Sequence, residues 1–410
     1  MKPARAAKTT RGIGMALAIM AMGGMGSTAL AADTMPIGVI TPLTGGGAQF
    51  GPDMAKAMQL AADRVNKVGP PMGKEFKLYV EDGETNPDSA VRAAQKLIGV
   101  NRVKAILGTW ASGVTMAVAP LAVQAGIVEM HTSGSDKIND LDSRGMVWRF
   151  QPEARWTGTA VATAVLKEGW KTAASAARDD PSGVTTVDDF NQVFEKRGGK
   201  VSQTLRYAPG LPSYMDVVRK VAKGSPDVVF TSTYAPELSV LVKDALTANL
   251  KLTWIAPGWA VTKDFINAVG VENANGTWAV DSAPNIDGAA YKQFMKEFTQ
   301  EAGHTLQPSD TYVFSSYDMV NVLALGMKKC DCDGGEPLSK AILAVTNPPG
   351  VEVTDYAQGV KALAEGKDIN YQGASSNLDF NEKGNQIPLF GAYKVENGVV
   401  QLKDTFRVGE

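Results

Sequence analysis

Histidine and cysteine are scarce in this chain, with two of each in 410 residues: His131 and His304, Cys330 and Cys332. The two cysteines stand one residue apart in Lys329-Cys-Asp-Cys-Asp333, with no histidine and no distant cysteine to complete a metal site. The other readings of that loop are a staple formed in an oxidising compartment or two idle thiols. A disulfide across one residue is strained, so its form stays open. The chain also lacks a Gly-x-Ser-x-Gly elbow, a phosphate loop and an HExxH pair. His131 with Ser112 and Asp82 could be imagined as a hydrolase triad, but a hydrogen-bonded histidine near a sheet edge is the plainer reading. No resident cofactor or metal is implied, and the expectation is that the protein is not an enzyme. Neither sign of charge dominates, with 41 basic and 43 acidic residues, which argues against nucleic acid as a partner.

Residues 1–31 stand apart. Lys2, Arg5, Lys8 and Arg11 form a basic start, Ile13 to Leu30 is apolar and uncharged, and Ala29-Leu30-Ala31 fits a small-x-small cleavage site. That is the pattern of a secretory signal, interrupted too often by glycine to favour a membrane span. No long apolar run follows, so the mature protein is expected to be soluble, exported and periplasmic. Without the signal the balance falls to 37 basic against 43 acidic residues. The roughly 380 residues that remain exceed the usual size of one core, so two lobes are expected.

The organising stretch is Val103 to Asp136. Val103 to Leu107 reads as a strand buried on both faces. Gly108-Thr-Trp-Ala-Ser-Gly113 breaks it, and Val114 to Gln124 has helical spacing of Met116, Val118, Ala119 and Ala122. Ile127 to Met130 is a second strand, followed by His131-Thr-Ser-Gly-Ser135. Two hydroxyl-rich loops thus leave the carboxyl edge of a parallel sheet, where open α/β sheets bind ligands.

The same alternation extends in both directions. Met35–Thr41, Phe76–Val80 and Val147–Phe150 are further strands, separated by helices over Met54–Asn66 and Pro87–Ile98. It restarts after Gln151-Pro152, with strands at Thr172–Ala177, Val201–Tyr207, Asp227–Thr231 and Leu252–Ile255. Each lobe is therefore expected to be a doubly wound parallel sheet. Past about Ala283 come helices over Tyr291–Glu301, Thr311–Met327 and Leu338–Thr346. Alternating runs from Ser376 to Phe406, beginning with Asn377–Phe380, then read as antiparallel strands. The expected organisation is residues 32–152 with about 283–375 as an N-terminal lobe, and 153–282 with about 376–410 as a C-terminal lobe. A hinge and a ligand cleft would lie between them.

Thr41-Pro-Leu-Thr-Gly45, Gln49-Phe50-Gly51, Gly108 to Ser112 and Ser232-Thr-Tyr-Ala-Pro-Glu237, with the signal peptide, resemble the periplasmic leucine/isoleucine/valine-binding protein family. These are type I solute-binding proteins that feed ABC importers, and the resemblance covers nearly the whole mature chain. It implies that Ser112, Ser133 and Ser135 hold a ligand carboxylate, a role that hydroxyls and amides at a helix start also suit on physical grounds. It implies that Phe50 and Tyr234 face the ligand. Phe50 could instead be a helix-start staple, and any one serine a simple cap.

Two departures bear on the ligand. Where the family's amino-acid binders carry a glutamate after Pro257, this chain has Gly258-Trp259, and where they carry a tyrosine before Gly183 it has Ser182. Asp179 or Asp180 could replace the missing acid, or could be loop and capping residues. Trp110 and Trp259 join Phe50 and Tyr234 as aromatics at pocket-facing positions, able to stack on a flat ligand or to cage a cation. An amino acid and an aromatic or other small organic acid thus both remain as ligands. The expected partner is a membrane ABC permease, and the expected state a monomer; a sensor for a membrane receptor would use the same cleft.

Overall fold

The computed structural model describes residues 33–142 and 144–408; the signal expected over residues 1–31 lies outside the described residues. The first sheet comprises β1 (Thr34–Thr41), β2 (Glu75–Asp82), β3 (Ala105–Thr109), β4 (Val128–His131) and β5 (Val147–Arg149), linked through α1 (Gly51–Val68), α2 (Pro87–Lys96) and α3 (Ser112–Ala125). Its strands are all parallel, in the order β2-β1-β3-β4-β5. The chain continues through α4 (Ala154–Lys167), β6 (Thr172–Arg178), α5 (Pro181–Lys196), β7 (Lys200–Tyr207), α6 (Met215–Val221), β8 (Val228–Ser232), α7 (Ala235–Thr247) and β9 (Trp254–Pro257). Next come α8 (Lys263–Val269), α9 (Val271–Ala274) and β10 (Trp278–Ser282). Three helices follow, α10 (Ala289–Ala302), α11 (Thr311–Cys330) and α12 (Gly335–Thr346), then β11 (Val351–Val353), α13 (Tyr356–Ala364) and β12 (Ile369–Tyr371). The hairpin of β13 (Phe390–Glu396) and β14 (Val399–Phe406) ends the described chain. The second sheet runs β14-β13-β10-β9-β8-β6-β7, with β13 and β14 antiparallel at one edge of an otherwise parallel array.

Each element has a local cause. In α1 the residues Met54, Ala57, Met58, Ala61, Ala62 and Val65 recur every three or four positions and are buried; that stripe packs on the sheet. Asn86 caps α2, its side chain accepting from the Asp88 and Ser89 amides, and Pro87 sits where its missing N–H costs nothing. In α11 every residue from Thr311 to Met327 is buried. It lies in the first core among α1, α12 and α13, which explains why apolar residues occur on all its faces, with Ser315, Ser316, Asp318 and Asn321 buried among them.

Three differences from the sequence reading stand out. The strand β10 and the short helices α8 and α9 break the expected alternation and were not anticipated. Asn377–Phe380 is no strand: Leu378 and Phe380 are buried in the first core, Phe380 against Trp148 and Phe150 at 5.2 Å. The chain therefore returns to the second sheet between Phe380 and Phe390, later than the expected boundary near residue 376. Cys330 and Cys332 are joined as a disulfide.

Two buried carboxylates anchor the first lobe. Asp318 of α11 accepts from Tyr371 Oη (2.9 Å), the Ala374 and Ser375 amides (2.9 and 2.7 Å) and Ser375 Oγ (2.6 Å), pinning the returning segment. Glu129, at the centre of β4, lies beneath the ligand-edge loops. Its Oε1 accepts from Thr109 Oγ1 at 2.7 Å, Thr115 Oγ1 donates to Thr109 Oγ1 at 2.9 Å, and Ser133 Oγ lies 2.5 Å from Thr115 Oγ1. Burial, with a smaller push from Asp142, raises the Glu129 carboxyl to about 8.

A folded-state value above the unfolded one means that the native protein holds this proton longer. Glu129 then contributes stability that is present at acid pH and lost as pH rises toward 8. Glu129→Gln should flatten the fall in melting temperature between about pH 5 and about pH 9, each tenfold difference in proton affinity between folded and unfolded chains being worth about 1.4 kcal/mol. Thermal unfolding of both proteins across that range checks it, and an unchanged slope would contradict the assignment.

Candidate functional site

The carboxyl ends of both sheets face one cleft, which closes around a small cavity of about 40 Å³. From the first sheet, Trp110 and Ser112 follow β3, Thr132 and Gly134 follow β4, and Gln151 follows β5. From the second, Asp180 and Ser182 follow β6, Thr233 and Tyr234 follow β8, Trp259 follows β9, and Asp281 lies within the end of β10. Tyr312 enters from the first turn of α11.

The first wall is built around the start of α3. Ala111 precedes it with no side-chain cap, so its leading amides are left for another acceptor. Ser112 Oγ accepts from the Ser135 amide at 3.0 Å, tying the two hydroxyl-rich loops together. Ser133 Oγ donates to the Trp110 carbonyl at 2.8 Å. Arg149, buried at 1 % exposure, grips the second loop from behind. Its guanidinium donates to the carbonyls of Ser133 and Ser135 (the latter at 3.1 Å), to Asn139 Oδ1 at 3.1 Å and to Asn385 Oδ1 at 2.7 Å. With these carbonyls turned back onto Arg149, Thr132 and Gly134 are presented to the cleft. Burial lowers the Arg149 guanidinium to about 10, where it is still charged at neutral pH.

Aromatic rings close the cleft. Trp110 lies 5.1 Å from Tyr234 across the gap, 5.3 Å from Phe50 and 5.8 Å from Tyr312. Arg178 stacks over Tyr234 at 4.2 Å. Gln49 Nε2 donates to the Trp259 carbonyl at 3.5 Å, a further bridge between the lobes.

Of the nine residues singled out in the sequence, Trp110, Ser112, Asp180, Ser182, Tyr234 and Trp259 line the cleft. The other three stand behind it. Phe50 is buried against Trp110 and Tyr312. Ser133 spends its hydroxyl on Trp110, and Ser135 offers its amide to Ser112 while its own Oγ is buried without a partner. Asp180 is a capping residue: Oδ1 accepts from the Ser182 and Gly183 amides at 3.0 and 2.8 Å, and Oδ2 pairs with Arg178. The imagined triad falls apart into separate contacts. His131 Nδ1 accepts from the Ser133 amide at 3.1 Å, Ser112 binds Ser135, and Asp82 accepts from Thr44 Oγ1 at 2.6 Å. Burial, and then the Arg149 charge, push the His131 imidazole well below its usual range.

The sequence reading missed Thr132, Gln151, Tyr312 and Asp281. Asp281 could have been found, because it ends the apolar run Trp278-Ala-Val280 as the other polar site residues end theirs. Its side chain is 1 % exposed; Oδ1 accepts from the Ser282 amide at 2.7 Å and Oδ2 has no partner. Burial raises its carboxyl to about 7. Thr132 Oγ1 is likewise buried without a partner.

Known proteins resemble this chain over most of its length. A leucine-, isoleucine-, valine-, threonine- and alanine-binding protein of Pseudomonas aeruginosa is 26% identical over 344 residues, 83% of this chain and 90% of that protein. A leucine binding protein from Thermotoga maritima has a similar fold, with a TM-score of 0.79 at 21% identity, over 92% of this chain and 99% of that one. A solute binding protein of an ABC transporter from Rhodopseudomonas palustris, solved with 3,4-dihydroxybenzoic acid, gives a TM-score of 0.74 at 21% identity, over 92% and 98% of the two chains. A family model described as periplasmic binding protein matches residues 34–385. With two α/β sheets facing one cleft, the chain belongs to the periplasmic binding protein family, in its leucine/isoleucine/valine-binding group of type I fold.

Proposed function

We propose that the protein is an extracytoplasmic solute-binding protein. It captures a small carboxylate-bearing ligand, an amino acid or an aromatic or other organic acid, in the interlobe cleft and delivers it to an ABC importer. The observation that carries this reading is the uncapped start of α3, with Ser112 and Thr132, facing Tyr234 and Trp259 across one gap. The exposed amides and helix dipole favour an anion there. The relatives span both ligand types: the Pseudomonas aeruginosa protein is named for aliphatic amino acids, and the Rhodopseudomonas palustris protein was solved with an aromatic acid.

The jaws are residues 33–152 with about 283–380, and 153–282 with about 390–408. Ligand binds the first jaw, and closure brings Tyr234 and Trp259 over it, excluding water and strengthening the polar contacts. A membrane permease then reads the closed shape. Residues 1–31 act as the export signal, the location is the periplasm, and the working form is a monomer.

Thermal unfolding against branched amino acids, aromatic acids and their amides tests the reading. A carboxylate ligand at 100 times its dissociation constant should add about 2.7 kcal/mol of stability, with no gain from the matching amide. Ser112→Ala should weaken that binding by about ten- to a hundredfold, the worth of one hydrogen bond to a charged group. Ser133→Ala should weaken it less, because that hydroxyl acts through the Trp110 carbonyl; equal affinities in wild type and Ser112→Ala would refute the anion site. Trp110→Ala should remove most of the change in intrinsic fluorescence on ligand addition, since this ring touches both jaws.

A further inference from the structure

Resting on the reading of the cleft as a carboxylate-capturing site, we propose that Asp281 forms its second pole. It selects ligands that carry a protonated amine beside the carboxylate over the matching acids without one.

Among the described lining residues no lysine, arginine or histidine is present, and two are carboxylates, Asp180 and Asp281. Asp180 is committed on both oxygens to the α5 amides and to Arg178. Asp281, which lines the cleft, is committed on one, and its Oδ2 is a buried acceptor without a donor. A buried acceptor left unmatched is costly, and a ligand donor relieves that cost. The surroundings favour a cationic donor over a neutral one. Trp110, Tyr234, Trp259 and Tyr312 present aromatic surface around the same space, and ring faces attract an ammonium.

The acid's position is set by the neighbouring strand end. A Cβ at Gly258 would stand 2.6 Å from Asp281 Oδ2 and 2.7 Å from its Cβ. A side chain at position 258 and the present position of the Asp281 carboxylate are therefore mutually exclusive. Gly258 and Asp281 form one coupled element, in which the strand end that follows Pro257 gives up its side chain and β10 supplies the acid.

The titratable groups facing Asp281 are Tyr312 from α11 and Tyr393 from β13. Burial raises both above their usual range, so they are neutral at physiological pH. Asp281, raised by burial to about 7, is then the group that titrates there. An ammonium favours its ionised form, so amine-bearing ligands should bind more tightly as pH rises through 7. Plain acids should show the opposite slope, because ionised Asp281 repels their carboxylate.

Calorimetry on the full mature protein with pairs that differ by the amine alone, leucine against isocaproate and phenylalanine against hydrocinnamate, decides the matter. At about pH 8 wild type should bind at least one amine-bearing member about tenfold or more tightly than its partner, given the worth of a hydrogen bond to a charged group. Asp281→Asn should abolish that preference and its pH slope while leaving the plain acid within about threefold. Gly258→Ala, which changes no charge, should lower the preference by displacing the carboxylate. Equal binding of both members by wild type, or a preference that survives Asp281→Asn, would overturn the inference while leaving carboxylate capture standing. Failure of every carboxylate in the panel to bind would sink carboxylate capture and this inference together.

Discussion

A fully buried arginine makes the first wall of the cleft possible. Arg149 holds the carbonyls of Ser133 and Ser135, and two asparagine oxygens, at the back of the loop that follows β4. An isolated charge in that position would be prohibitive, and truncating a partner of a buried charge costs several kcal/mol. Here the carbonyl dipoles, with Glu153 and Asp136 nearby, offset the desolvation. The consequence is directional. Once the loop's oxygens point backward onto Arg149, what it presents forward is Thr132 and Gly134. Asn385, in the segment that returns from the first core to the second sheet, is one of the partners, so the wall and the last crossing between lobes share one anchor.

The two walls differ in how completely they are satisfied. In the first, serine and threonine hydroxyls are largely committed within the protein: Ser112 accepts from the Ser135 amide, Ser133 donates to the Trp110 carbonyl, and Thr115 and Thr109 run down to Glu129. In the second, Asp180 and Arg178 neutralise each other, and Arg178 also stacks on Tyr234. Among the buried atoms left without a partner, Thr132 Oγ1, Thr233 Oγ1 and Asp281 Oδ2 belong to residues that line the cleft, whereas Ser135 Oγ and Glu129 Oε2 lie behind it. Buried polar groups in folded proteins nearly always find partners. Leftover groups on opposite walls of one cleft are therefore better evidence of a ligand than the number of hydroxyls that the loops carry.

Much of this was legible in the chain because buried parallel strands leave a short branched run followed by a polar loop. Val103–Leu107 and Asp227–Thr231 are read in that way, and the loops after them do reach the cleft. Two kinds of feature were not legible. Ser133 and Ser135 belong to the right loop, yet their orientation is fixed by Arg149, fourteen or more residues along the chain, which no local pattern encodes. Tyr312 sits in a helix buried on every side, where periodicity cannot separate a site residue from a core one. β10 failed for a different reason. The short helices α8 and α9 precede it, and Trp278-Ala-Val280 is a brief run with a single β-branched residue. The loss of that strand hid Asp281, and it made the glycine at position 258 read as a missing acid rather than as room for one.

The crossings between lobes limit how such a cleft can open. Gln151 leaves the first sheet, Ser282 leaves the second, and Ser315 projects from α11. Ser282 Oγ donates to Gln151 Oε1 at 2.7 Å, and Gln151 Nε2 donates to Ser315 Oγ at 2.9 Å. These bonds join the segments on which a hinge would turn, so a rotation about them separates Trp110 from Tyr234 while breaking little at the pivot. Asp281 is adjacent to Ser282 and therefore close to that axis, whereas Tyr234 and Trp259 lie on loops after β8 and β9. A ligand group paired with Asp281 would stay near its partner throughout the motion, and one resting on Tyr234 would be covered only at the end of it. On the proposed reading, recognition of the ligand's amine falls on the pivot side of the cleft and water exclusion on the aromatic rim.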